Sequence, residues 1–140
     1  MPSEDITAPS EIVSTDIKKL DLKKYKGRVL LLMFFATWCG PCREITPEVR
    51  NLYTNYKQKG LNIIAVSVDS VPSGIPAVNS YVQKNSIKYP VFVDDGSLSK
   101  QYGIVGIPAF ILIGKDGVMK TKRLGAQAVN DIAEDIKALL

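Results

Sequence analysis

Two side chains in this sequence can carry out chemistry together. Cys39 and Cys42 are the only cysteines, and they stand in Trp38-Cys39-Gly40-Pro41-Cys42. Cysteines three apart on a helical turn share one face, with Cα atoms about 5–6 Å apart and within disulfide range. Pro41 suits the first turn of a helix, where its missing N–H costs nothing. Unpaired N–H groups at such a helix start favour a thiolate, and only a thiolate attacks a disulfide. The spacing therefore predicts a redox dithiol in which Cys39 attacks and Cys42 resolves, with Gly40 and Pro41 as active-site support. A CxxC pair can also be a coincidence or a structural bridge. Its place between a strongly apolar run and a helix favours the redox reading.

The rest of the composition narrows the field. There is no histidine, so a structural zinc site, which needs four Cys or His ligands, is not expected. No other metal and no cofactor is implied, and no G-x-G-x-x-G run follows a strand. The net charge is +4, but the basic residues are scattered and mixed with acids, so nucleic-acid binding is not expected. Weak attraction to an acidic surface stays open. Met1 to Ser10 is polar and shows no secretory signal. The longest apolar run, Val29 to Ala36, is far short of the ~20 residues that a membrane helix needs.

A length of 140 residues suits one domain, expected over residues 11–140 behind a polar lead-in at 1–10. Glu11 to Ser14 reads as a short strand and Leu20 to Tyr25 as a helical turn. Val29 to Phe35 is apolar without alternation, the mark of a central strand buried on both faces. A helix from Pro41 to Lys59 follows, closed by Gly60. Leu61 to Val68 is a second buried strand. Val78 to Asn85 reads as helix, Tyr89 to Val93 as a short strand and Leu98 to Tyr102 as a brief helix. Phe110 to Ile113 and Val118 to Arg123 form a hairpin around Lys115-Asp116-Gly117. Val129, Ile132, Ile136 and Leu139 repeat at helical spacing. The alternation predicts an α/β fold with a mixed, mainly parallel central sheet flanked by helices.

The stretch Phe35 to Glu44, with Pro47 five residues after Cys42, resembles the active-site segment of the thioredoxin superfamily, and specifically its TlpA/ResA-like branch. Tyr102-Gly103-Ile104-Val105-Gly106-Ile107-Pro108 resembles the family segment that ends in a cis-proline. The resemblance covers about residues 8–140 and implies a thioredoxin fold with an extra helix and strand near residues 70–100. It implies a thiol–disulfide oxidoreductase, more a reductase than an oxidant, that exchanges disulfides with proteins, apocytochrome c among the candidates. A membrane or soluble electron donor would supply it. By the same resemblance Pro108 is cis, and Ile107 pairs its backbone with the bound substrate segment. Trp38 is expected beside the dithiol as a lid and an apolar contact for partners, with plain core packing as the alternative. The protein is expected to be monomeric. It would be extracytoplasmic, periplasmic or membrane-tethered, if a leader has been trimmed, and cytoplasmic otherwise.

The sequence also departs from the family. Thioredoxins place a buried carboxylate where this chain has Met33 and a lysine where it has Ala65. Some ResA-like members carry a glutamate where this chain has Ile45. Losing both charges together is consistent, because one charge alone in a core is costly. Glu44 and Glu48 are expected on the surface. Proton uptake from Cys42 is then left to water or to the departing Cys39 thiolate. Two other functions fit the same fold. A thiol peroxidase usually has Thr three residues before its nucleophile, where this chain has Ala36. A Cu(I)-relay module usually adds a histidine to its two thiolates.

Overall fold

The computed structural model describes residues 12–140, and the expected lead-in and Glu11 lie outside them. In chain order the elements are β1 (Val13–Ser14), β2 (Val29–Phe35), α1 (Gly40–Tyr56), β3 (Leu61–Ser67) and α2 (Ile75–Lys84). Then come β4 (Val91–Val93), α3 (Ser97–Gln101), β5 (Ala109–Ile113), β6 (Met119–Leu124) and α4 (Val129–Leu139). The strands form one sheet in the order β1-β4-β3-β2-β5-β6. The pairs β1·β4, β4·β3 and β3·β2 are parallel, whereas β2·β5 and β5·β6 are antiparallel. This is the expected mixed α/β sheet.

Every residue of β2 is buried, as its unbroken apolar run requires. Val29, Leu31, Met33 and Phe35 pack on the side that holds Cys42, Ile45, Val49, Ile132 and Ile136 of α1 and α4. Leu30, Leu32 and Phe34 pack on the other side with Ile17, Leu98 and Ile111. The sheet thus has an apolar layer on each face, and β2 is its spine.

Boundaries differ from the sequence reading where caps and prolines decide them. α2 begins at Ile75 rather than Val78, because Pro76 sits in its first turn, where no N–H is needed. β4 begins at Val91 rather than Tyr89. Pro90 has no N–H to donate to the ladder, and the Tyr89 ring turns inward to an edge contact with Tyr53 at 5.6 Å. A 3-10 turn at Ile17–Lys19 was not foreseen; the Asp16 side chain caps it by accepting from the Lys18 N–H at 3.0 Å. α1 runs into a 3-10 turn at Lys57–Lys59 that stops at Gly60, whose φ of 107° suits glycine. β6 is an edge strand carrying Lys120, Lys122 and Arg123, charges that discourage pairing with another chain.

Candidate active site

The site forms where β2 hands over to α1. Cys39 is the N-cap of α1, and the Cys42 N–H donates to its sulfur at 3.2 Å. The loop before it is closed by the Cys39 N–H to the Ala36 carbonyl, 3.1 Å, and the helix opens with the Arg43 N–H to the Cys39 carbonyl, 3.1 Å. Cys39 and Cys42 are joined as a disulfide with Cα atoms 5.3 Å apart. Their burial differs in a useful way: Cys39 keeps 6% of its surface while Cys42 keeps none. Cys39 is thus the more accessible of the two.

The remaining candidates fall around this pair. Gly40 and Pro41 form the first turn, and Pro41 is exposed. A Cβ built at Gly40 would meet nothing within 4 Å, so no steric demand for glycine is visible there. The Ile107–Pro108 peptide is cis. The Ile107 carbonyl oxygen lies 4.0 Å from the Cys39 sulfur, which brings together residues 68 positions apart. Trp38 is 67% exposed, so the core-packing alternative does not hold. Leu124, half-exposed, stands opposite Ala109 in the β5·β6 ladder, beside the cis-proline.

Below the dithiol the environment is apolar. Met33 is buried, paired with Ala65 on β3 and Phe110 on β5, and Ile45 is buried one turn into α1. Glu44 and Glu48 are exposed, as expected. No cluster of three or more His, Cys, Asp or Glu suited to a metal occurs among the described residues.

The sequence reading missed two features. Asp69 is only 4% exposed, and its carboxylate accepts hydrogen bonds from both the N–H and the hydroxyl of Thr37. The signal was available: an acid directly after an apolar strand, in Ser67-Val68-Asp69. Thr46, one turn after Cys42, donates to the Cys42 carbonyl at 3.0 Å and meets the Tyr81 hydroxyl from α2. Burial pushes the Tyr81 phenol above its ordinary range.

This arrangement has relatives. The Redoxin family model matches residues 3–138. The chain belongs to the redoxin family. Thiol–disulfide oxidoreductase ResA of Bacillus thuringiensis subsp. konkukian is 37% identical over 135 residues, covering 94% of this chain and 76% of that protein. ResA of Bacillus subtilis is 32% identical over 117 residues, covering 82% and 64%. Among solved structures, a thiol:disulfide interchange protein of the thioredoxin family from Chlorobium tepidum superposes with a TM-score of 0.74. It is 27% identical and covers 84% of this chain and 83% of that one. StoA from Bacillus subtilis gives a TM-score of 0.71 at 22% identity, covering 91% and 97%, a likeness of fold. This redoxin is therefore a ResA-like thiol–disulfide oxidoreductase with a thioredoxin fold. No helix among its described residues is long and apolar enough to cross a membrane.

Proposed function

We propose that this redoxin reduces disulfides in client proteins, with Cys39 as the nucleophile and Cys42 as the resolving thiol. The Cys39 thiolate attacks one sulfur of the client disulfide. A Cys39–client bond forms, the client S–S bond breaks, and one client thiolate leaves. The Cys42 thiolate then attacks the Cys39 sulfur and expels the second client thiolate. Two electrons pass to the client, the Cys39–Cys42 bond is made, and an electron donor must reduce it again. The observation that carries this reading is the asymmetry at the helix start: a rim sulfur held by the Cys42 N–H at 3.2 Å, and a wholly buried one behind it.

Client binding is assigned to Trp38, Ile107 and Pro108. The exposed indole offers apolar contact, and the backbone before the cis-proline offers an edge for an extended segment. Gly40 and Pro41 shape the first turn. The family resemblance, strengthened by the ResA relatives, points to an extracytoplasmic setting and to a disulfide of apocytochrome c as the client. The Gly-Pro pair inside the motif favours the reducing direction. A span of ~150 mV, about 7 kcal/mol, separates reducing from oxidising members of the fold.

The test is reduction of a model protein disulfide by the wild type, Cys39→Ser and Cys42→Ser. Cys39→Ser should be inactive, and Cys42→Ser should stall as a mixed disulfide with the client. Equal activity in both variants would refute the assignment, and a midpoint potential near that of strong oxidants would reverse the direction.

A further inference from the structure

Among the described residues two carboxylates are buried, Asp69 and Asp94, and they do different things. Asp94, 3% exposed, caps α3 by accepting from the N–H groups of Leu98 and Ser99 and from the Ser99 hydroxyl. That accounts for it. Asp69 caps no helix. Its Oδ1 accepts from the Thr37 N–H at 3.0 Å and from the Ser67 hydroxyl at 2.7 Å, while its Oδ2 accepts from the Thr37 hydroxyl at 2.5 Å. Both hydrogen-bond donors of Thr37, its N–H and its hydroxyl, are spent on one side chain 32 residues away, and Thr37 lies two residues before Cys39.

Asp69 is itself held from behind. Its own N–H donates to Ser67 Oγ at 3.0 Å. The Val68 N–H reaches the Phe35 carbonyl at 2.8 Å, and the Asp94 N–H reaches the Ser67 carbonyl at 2.9 Å, so the exits of β2, β3 and β4 are tied together. Beyond Asp69 the chain folds back tightly: a Cβ at Gly74 would lie 2.6 Å from the Ser70 carbonyl oxygen and 2.7 Å from the Asp69 Cβ. The carboxylate is thus a fixed point, and the loop bearing Trp38 and Cys39 hangs from it.

We propose that Asp69 is a positioning residue for thiol–disulfide exchange: acting through Thr37, it sets where the Cys39 sulfur sits between the α1 N-terminus and the Ile107 carbonyl. It touches neither sulfur nor client. The inference rests on the assignment of Cys39 as nucleophile. If the loop moves, the sulfur loses its alignment with the Cys42 N–H, and the thiolate of the reduced enzyme loses stabilisation.

Four substitutions separate position from charge. Asp69→Ala removes every acceptor. Asp69→Asn keeps one oxygen for the Thr37 and Ser67 donors and can donate its amide to the Thr37 hydroxyl, so it preserves the geometry without the charge. Thr37→Val removes the hydroxyl and spares the backbone, with Thr37→Ser as its conservative control. The readouts are the rate of exchange with a model protein disulfide and the Cys39–Cys42 equilibrium with glutathione. Asp69→Ala should slow exchange about tenfold and favour the disulfide about tenfold, a potential lower by ~30 mV. Thr37→Val should shift both in the same direction, while Asp69→Asn and Thr37→Ser stay near wild type. Asp69→Ala combined with Thr37→Val should be no worse than Asp69→Ala alone, because the two share one contact.

A folded Asp69→Ala with wild-type rate and potential would overturn the proposal, since a purely structural acid lowers melting temperature alone. So would Asp69→Asn matching Asp69→Ala, which would make the role one of charge. Should Asp69→Ala fail to fold, the Thr37 pair decides: equal behaviour of Val and Ser refutes the proposal. Failure of the Cys39 assignment is distinguishable, because it would show in Cys39→Ser retaining activity.

Discussion

The Tyr81 hydroxyl lies 2.5 Å from Oγ1 of Thr46, joining α2 to the helix that carries the dithiol. Thr46 spends its own hydrogen on the Cys42 carbonyl, so Tyr81 donates and Thr46 accepts. The Tyr81 ring also packs 5.6 Å from Phe35 at the end of β2. Tyr81→Phe keeps the ring and removes the bond. It should cost about 1 kcal/mol of stability, read as a lower urea midpoint at unchanged slope. Exchange activity should persist, since Thr46 still holds the Cys42 carbonyl.

Trp38 has 67% of its surface in solvent, so its truncation removes little folding energy. Trp38→Ala should leave stability within about 0.5 kcal/mol of wild type. With a protein client, kcat/KM should fall roughly five- to thirtyfold, the effect of losing an aromatic contact worth about 1–2 kcal/mol. With a small disulfide as substrate the fall should vanish. Equal losses on both substrates would remove the indole from client binding.

Met33 and Ala65 are direct partners across the β2·β3 ladder, both buried. Met33→Asp places a carboxyl there without a counter-charge and should destabilise the protein by about 3–5 kcal/mol. Adding Ala65→Lys should recover part of that loss, because the two positions share one face of adjacent strands. Chemical denaturation of the two single variants and the double measures the coupling.

Tyr89 is 2% exposed, and burial, its largest influence, holds its phenol well above the ordinary 10.0. Tyr25, Tyr81 and Tyr102 are raised in the same direction, again chiefly by burial. Between the unfolded value and the higher folded ones the unfolded chain binds fewer protons, so stability falls as pH rises. Full stability should hold below pH 10 and decline above it. Tyr89→Phe should flatten that decline; an unchanged slope would assign the alkaline loss to other groups.

The spine of the fold was legible because its signals are local. Val29 to Phe35 contains no polar residue, and a strand buried on both faces needs none. Val129, Ile132 and Ile136 repeat at helical spacing because α4 buries one stripe, and all three are buried. The dithiol was legible for the same reason: three-residue spacing and Pro41 specify a helix start with two sulfurs on one side. Less was legible at β4, where Tyr89 belongs by composition to the strand but Pro90 denies it a ladder bond.

What the amino-acid order determined by itself, then, was the chemistry: two thiols at one helix end, no imidazole, and an apolar spine to hold them. Tertiary structure alone decided how that chemistry is framed. Asp69 reaches Thr37 because the parallel register sets Phe35 beside Ser67, so the exits of β2 and β3 meet. Ile107 faces Cys39 and Tyr81 reaches Thr46 across separations of 68 and 35 residues. Periodicity reports which face of an element is buried. Which partner waits on that face depends on strand order and register, and those are settled when the whole sheet packs.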